Sequence, residues 1–254
     1  MKFSRILYIV LGIVLPCLCF SKDTVQGLFE KGNAYYAKAQ YTEAAATYQK
    51  IIDDGYQSPA LYFNMGNASY KSGDIPLALL YYEKAHKLAP GDDDVNFNIR
   101  FANLKTTDKV DFIPDFFLAR WWTAIMLSFS ISALSVMSIV FMLLGSAILV
   151  VYVFANSVFL KKFSFYAFLL SYFLFALTFF VAERQTSYFE GHRQAIIFTS
   201  SVNVKNSPVE KSNTLFVIHD GTKVNVLDNT NGWTKIALPN GNEGWIKTSD
   251  TKEI

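Results

Sequence analysis

Hydrophobic residues follow four successive patterns along the chain. An apolar run from Ile6 to about Phe20 comes first, preceded by Lys2 and Arg5. Residues 22–110 then mix apolar and polar positions at helical spacing. No residue from Trp121 to Leu160 is charged, and Phe163–Ala182 adds a second uncharged stretch. After about Gly191 the period falls to two. Apolar runs of this length predict membrane-spanning helices. The first is too long for one span. It divides into an interfacial segment, 111–129, with Trp121 and Trp122 at headgroup depth, and a span over 130–154. A loop over 155–162 and a second span over 163–182 follow. In the last segment, residues 202–204, 214–218, 223–227, 232–238 and 243–247 read as five strands. Asp220-Gly221, Asn231-Gly232 and Asn240-Gly241 fit tight turns between several of them. Five strands in so short a stretch predict a small all-β barrel over 192–254.

The helical region repeats itself. Residues 25–58 and 59–92 align without a gap: Gly32 with Gly66, Asn33 with Asn67, Tyr36 with Tyr70, Ala44 with Ala78, and Tyr48 with Tyr82. A period of 34 residues is that of tetratricopeptide repeats, and the second copy is similar to that family nearly throughout. Gly66, Ala78 and Ala85 fall where two antiparallel helices must approach closely, and Pro90 falls where the second helix must end. A helix pair cannot bury its inner face alone. A lid is therefore expected from Asp92-Asp93-Asp94, which cap a helix N-terminus, and from Val95, Ile99 and Ala102 at helical spacing behind them. The same aspartates lack the turn glycine and later glutamate of a calcium loop.

Composition changes this picture in two ways. The 254 residues are 52% apolar and 17% charged with a net charge of +2, but the charge is segregated. Lys161 and Lys162 are the only charges between Trp121 and Ala182. One soluble globule is thereby excluded. Neither polar segment has the cationic excess that nucleic-acid binding requires. The first 21 residues read as a secretory signal peptide, cleaved after Ser21 or after Cys19, with an uncleaved anchor or a lipid-modified cysteine as alternatives. Cys17 and Cys19, the two cysteines, both lie in it. A mature chain would then have neither disulfides nor cysteine chemistry. By the positive-inside rule, Lys161 and Lys162 mark the loop between the spans as cytoplasmic. The repeats and the C-terminal domain are then both expected on the periplasmic side of the inner membrane. Ser128, Ser130, Ser132, Ser135 and Ser138 gather around the first span, where they bond to their own helix or to a neighbour.

Catalytic signals are missing from the pattern. His86, His192 and His219 lie in three separate segments with no ligand or base at a productive spacing. There is no phosphate-binding glycine loop and no serine elbow. No enzyme, metal or cofactor is expected.

Three resemblances carry the functional expectation. In the tetratricopeptide family the first helix of each repeat lines a concave peptide groove. Carried over, the groove positions are Phe29, Asn33, Tyr36, Phe63, Asn67, Tyr70, Phe97 and Phe101. The asparagines would clamp a peptide backbone and the aromatics would seat apolar side chains, unless both merely build the core. Phe29 stands where the carboxylate-clamp version needs lysine. The segment from Val202 to Asp228, with GWTKIALPNG and EGWI, resembles a bacterial SH3-type domain. Such modules bind cell-wall peptides or proteins, and Trp233 is the candidate ligand platform unless it packs in the core. The order of parts, with the stretch from Asn64 to Asp111 and DFFLARWW after it, resembles the BatE-type family of the Bacteroides aerotolerance (Bat) group. That resemblance implies an inner-membrane adaptor or scaffold in aerotolerance or stress response. Its implied partners are the Bat proteins with von Willebrand A domains, linked to a MoxR-type ATPase. A cell-envelope sensor that binds peptidoglycan through the SH3-like domain is the alternative.

Overall fold

The structure, a computed structural model, describes residues 22–109 and 116–254, with side chains from Val25 onward. The predicted signal peptide, both cysteines and residues 110–115 lie outside the described residues. Five helices come first: α1 (Lys22–Ala37), α2 (Tyr41–Asp53), α3 (Pro59–Ser72), α4 (Ile75–Leu88) and α5 (Asp93–Asn103). Their ends follow from sequence chemistry. Ser58 accepts a hydrogen bond from the Leu61 N–H, Asp74 from that of Leu77, and Asp92 from those of Asp94 and Val95. These side chains satisfy amides that a helix start leaves unpaired. Gly73, at φ 90°, ends α3 in the left-handed conformation that a Cβ disfavours.

Small residues set the spacing within each pair. A Cβ on Gly66 would lie 2.5 Å from the Tyr82 ring, and Gly32 meets Tyr48 in the same way. Ala44, Tyr48, Ile51, Met65, Ala68, Tyr81 and Ala85 are buried in the shared core, which Val95 of α5 closes.

Helices α6 (Phe117–Met126), α7 (Ile131–Phe154) and α8 (Val158–Gly191) follow. The last two are long and apolar enough to cross a membrane. They pack as a hairpin whose burial is inverted relative to a soluble protein. Phenylalanine, leucine, valine and isoleucine are exposed along both, whereas Ser138, Gly145, Ser164 and Ser171 are buried. Ser138 donates to Thr178 Oγ1 at 2.9 Å and Ser171 donates to the Phe141 carbonyl at 2.7 Å. Small polar contacts hold helices together where the surroundings are as apolar as the side chains. Ser128 bonds back to the Ala124 carbonyl of α6, Ser135 bonds within α7, and Ser130 caps α7. Only residues 155–157 separate the two helices, so Lys161 and Lys162 belong to the first turns of α8 rather than to a loop. Extending the helix pairs backbone groups that a loop would leave open. At the other end α8 runs well past Ala182, for a length of ~51 Å.

The C-terminal region is an open seven-stranded sheet, where a five-stranded barrel was expected. Its strands are β1 (Gln194–Ile197), β2 (Ser201–Lys205), β3 (Thr214–His219), β4 (Lys223–Thr230), β5 (Trp233–Ala237), β6 (Glu243–Lys247) and β7 (Thr251–Glu253). They lie in the order β3-β2-β6-β5-β4-β1-β7, and each described pairing is antiparallel. The five predicted strands are β2 to β6. Strand β1 escaped prediction because it does not alternate. Ala195 and Ile197 enter the sheet core, while Ile196 points the other way, into a cluster with Ala78, Leu79, Leu80, Tyr82 and Ala102 of the solenoid. A strand covered on both faces reads as a continuous apolar run.

Candidate functional site

The groove is best built from its repeated polar contact. Tyr48 donates to Asn33 Oδ1 at 2.6 Å, and Asn64 Nδ2 donates to the same oxygen at 3.0 Å. One period later Tyr82 donates to Asn67 Oδ1 at 2.8 Å and Asn98 Nδ2 donates to it at 2.9 Å. Burial pushes the Tyr48 phenol up to about 12, with Tyr36 adding to the shift and Asn64 opposing it. Burial likewise raises Tyr82, with Tyr36 and Tyr70 adding. Both phenols therefore remain donors at neutral pH. The two asparagine oxygens are engaged inside the solenoid, and their Nδ2 groups make none of the described hydrogen bonds. Any backbone clamp at Asn33 and Asn67 thus has to work through Nδ2. Asn64 and Asn98, absent from the expected set, belong to the same contact. Their matching positions one period apart were the available signal.

The aromatic positions divide. Phe29 and Phe63 are partly buried against Tyr48 and Tyr82, at ring separations of 5.9 and 6.0 Å. Tyr36 packs edge-on against Tyr41 at 5.3 Å. Phe97 and Phe101 are 57% and 45% exposed, stacked nearly parallel at 6.0 Å, with Tyr70 5.5 Å from Phe101. Helix α5 explains the difference. Asn98 places it in the slot of a third first-helix, so Phe97 corresponds to Phe63 and Phe101 to Asn67. Its Val95 and Ala102 side is covered by the solenoid core and the cluster around Ile196. The side bearing Phe97, Phe101 and the 71%-exposed Leu104 is open.

On the sheet, Trp233 pairs across from Lys247, and Trp245 across from Lys235 and Lys205. The alternate residues Thr234, Ile236, Gly244 and Ile246 are buried. Both indoles are therefore half-buried on the outer face rather than in the core.

The histidines are held by separate partners. His86 Nδ1 lies 2.8 Å from Asn96 Oδ1, His192 Nδ1 is 2.7 Å from the Tyr188 carbonyl, and His219 Nδ1 is 2.9 Å from Asp108 Oδ1. Burial pushes His86 below the usual imidazole range; Lys223 adds to this while Glu83 and Asn96 oppose it. Among the described residues no three acidic, histidine or cysteine side chains converge as metal ligands. A hollow of about 460 Å³ lies between α7 and α8, is lined mainly by apolar side chains such as Ile139, Met142, Phe175 and Phe179, and is separate from the groove.

Two modules are recognisable by similarity. The tetratricopeptide repeat family matches residues 59–92, and the bacterial SH3 domain family matches residues 200–252. No curated protein matches the chain. Among solved structures, an NlpC/P60 family protein from Bacillus cereus ATCC 10987 is similar at 17% identity and a TM-score of 0.22. The match covers 28% of this chain and 23% of that one. The chain thus carries a tetratricopeptide repeat and a bacterial SH3 domain, modules that fit protein interaction.

Proposed function

We propose that the protein is a membrane-anchored adaptor of the cell envelope that holds a segment of a partner protein in the solenoid groove. The observation that carries this reading is the stacked, exposed Phe97–Phe101 pair beside Tyr70. An aromatic face open on a helix whose other side is covered has the character of a docking surface. The anchor is the α7–α8 hairpin, inserted as two spans. Direct contact between solenoid and sheet supports placing both modules on one side, and the signal-like N-terminus together with Lys161 and Lys162 supports the periplasm as that side. The reading has no catalytic step and no cofactor. The Bat-like order of parts extends it to particular partners: Bat proteins with von Willebrand A domains, acting with a MoxR-type ATPase in aerotolerance or stress response.

Phe101→Ala in the detergent-solubilised full chain tests the groove. The side chain is exposed, so the melting temperature should stay within about 1 °C of the parent, since surface changes cost little. Affinity for a partner recovered by crosslinking should fall about tenfold or more, the ~1.4 kcal/mol or greater expected on removing an aromatic anchor. Unchanged affinity would remove the groove from the binding site. A second reading, peptidoglycan sensing through the sheet, is favoured by the outward-facing Trp233 and Trp245. Retention of the chain on purified cell wall, lost in Trp233→Ala, would support it; retention unaffected by that change would not.

A further inference from the structure

The position of the groove relative to the membrane narrows the class of its ligand. Three contacts set the geometry. Gln185, buried on α8, donates through Nε2 to the carbonyls of Met126 at 3.1 Å and Phe129 at 2.9 Å. The α6–α7 turn is thereby fixed at the level of Gln185. Gly91, in the loop between α4 and α5, packs directly on the Leu127 and Ser128 carbonyls of that turn, so closely that a Cβ there would clash. His86, five residues earlier in the chain, meets Phe189 ring to ring at 6.4 Å.

Phe189 is one helical turn beyond Gln185, about 6 Å farther along α8. Moving from Gly91 back to His86 therefore moves outward along α8, so the end of α4 runs antiparallel to α8. Helix α5 reverses direction after Gly91 and rises outward beside it. Ala182 ends the uncharged run, and Gln185 lies ~4.5 Å past it. From the start of α5 at Asp93, Phe97 is ~6 Å and Phe101 ~12 Å along the helix axis. The aromatic pair thus stands ~10–16 Å above the edge of the hydrocarbon. A headgroup layer occupies the first ~5–8 Å of that distance. The open face of α5 is accordingly poised just outside the headgroups, and the groove runs across the α1, α3 and α5 row along the bilayer surface rather than away from it.

We infer that the occupant is the juxtamembrane segment of another integral membrane protein. An extended chain rising ~3.3 Å per residue covers this height in about five residues. The segment that reaches Phe97 and Phe101 therefore lies within about ten residues of its own span. It carries at least one large aliphatic or aromatic side chain for the stacked rings, and peptide carbonyls for the Nδ2 donors of Asn33 and Asn67. The inference rests on the groove and on the two spans proposed above. Acidic termini do not fit, because the groove positions Phe29, Phe63, Phe97 and Phe101 offer no cation.

The test is photocrosslinking in native membranes, with p-benzoylphenylalanine replacing Phe97 or Phe101 in the full chain and the adducts mapped by mass spectrometry. The expected adduct is a peptide of a different membrane protein, within about ten residues of an apolar span. Introducing Phe101→Asp beside the position-97 label should cut its yield at least tenfold with an unchanged melting temperature. Adducts on soluble proteins, or far from a span, would overturn the inference while leaving the groove intact. Adducts to lipid, or to a second copy of this chain, would overturn it by naming another occupant. No adduct at either position, or a yield indifferent to Phe101→Asp, would remove the groove and the inference together.

Discussion

Single residues in the solenoid serve structure and candidate function together, and Asn67 is the clearest case. Its oxygen accepts from Tyr82 and Asn98, so it cannot be removed without disturbing the fold. Tyr82 is 2% exposed, and Asn67→Ala leaves its hydroxyl without that partner. A buried donor left unpaired costs about 1–3 kcal/mol, whereas removing both partners can be nearly neutral. Asn67→Ala should therefore lower stability by about 1–3 kcal/mol, and Tyr82→Phe in the same chain should restore part of it. Chemical denaturation of the four members of this cycle would measure the coupling, and strict additivity would show that the bond contributes nothing. Of the two readings of Asn67, builder of the solenoid and contact for a ligand, these bonds support the first, and a ligand contact would use Nδ2 beside them. The exposed Phe101 is the cleaner probe of binding.

At the scale of elements, β1 has more influence than its four residues suggest. It completes the sheet between β4 and β7 while Ile196 fills a space in the solenoid, where it is fully buried. The β3–β4 turn docks beside it. Gly221 there has φ 80° and lies so near Thr106 that a Cβ would come within 2.8 Å of the threonine methyl. Ile196→Ala should cost about 2–5 kcal/mol, the usual range for a large-to-small change in a packed core. It should also reduce hydrogen-exchange protection of α4, although Ile196 belongs to the sheet. Loss of protection confined to β1, β4 and β7 would contradict a shared core. The sheet's edges are blunted by different means. Strand β7 is three residues long and carries Lys252 and Glu253, while β3 is irregular opposite Val204 and Lys205.

For the whole molecule, the decisive contact is Asp108. Oδ2 accepts from the His219 N–H and the Thr222 hydroxyl, at 2.6 and 2.7 Å, while Oδ1 faces His219 Nδ1 at 2.9 Å. Burial alone would raise its pKa. The hydrogen bonds from His219 and Thr222 outweigh burial and hold the carboxyl below the usual range. A depressed carboxylate stabilises the folded state fully above the unfolded value, near pH 4, and loses that contribution as pH falls through the lower folded value. Lys223 bonded to the buried Glu83 at 2.8 Å adds a second tie. Asp108→Ala should split one calorimetric transition of solenoid and sheet into two and abolish the acid-dependent part of their coupling. A single transition with unchanged acid dependence would show that apolar contact suffices. The same joint bears on topology, since domains in direct contact share a side. A reporter active only outside the cytoplasm should work when fused after Lys109 or at Ile254 and fail at Lys161. Activity at Lys161 with silence at Ile254 would reverse the proposed orientation.

The sequence by itself determined the elements whose signals are local. The 34-residue offset aligned Gly32 with Gly66 and Tyr48 with Tyr82; Asp92 capped α5; uncharged length drew α7 and α8; alternation marked β2 to β6. Each is a pattern of spacing or composition along the chain, so each is legible without the fold. What the tertiary structure decided depends on residues far apart. Ile196 is apolar in the sequence, but only docking against Ala78 and Leu79 gives β1 two buried faces. Asp108 looks like a solvated loop carboxylate until His219 and Thr222 surround it. Phe97 and Phe63 occupy equivalent places in the repeat. Their exposure differs because Phe63 has a following helix with Tyr82 against it, whereas among the described residues after α5 no such ring packs on Phe97. Burial is a property of what arrives from elsewhere in the chain, and periodicity carries no record of it.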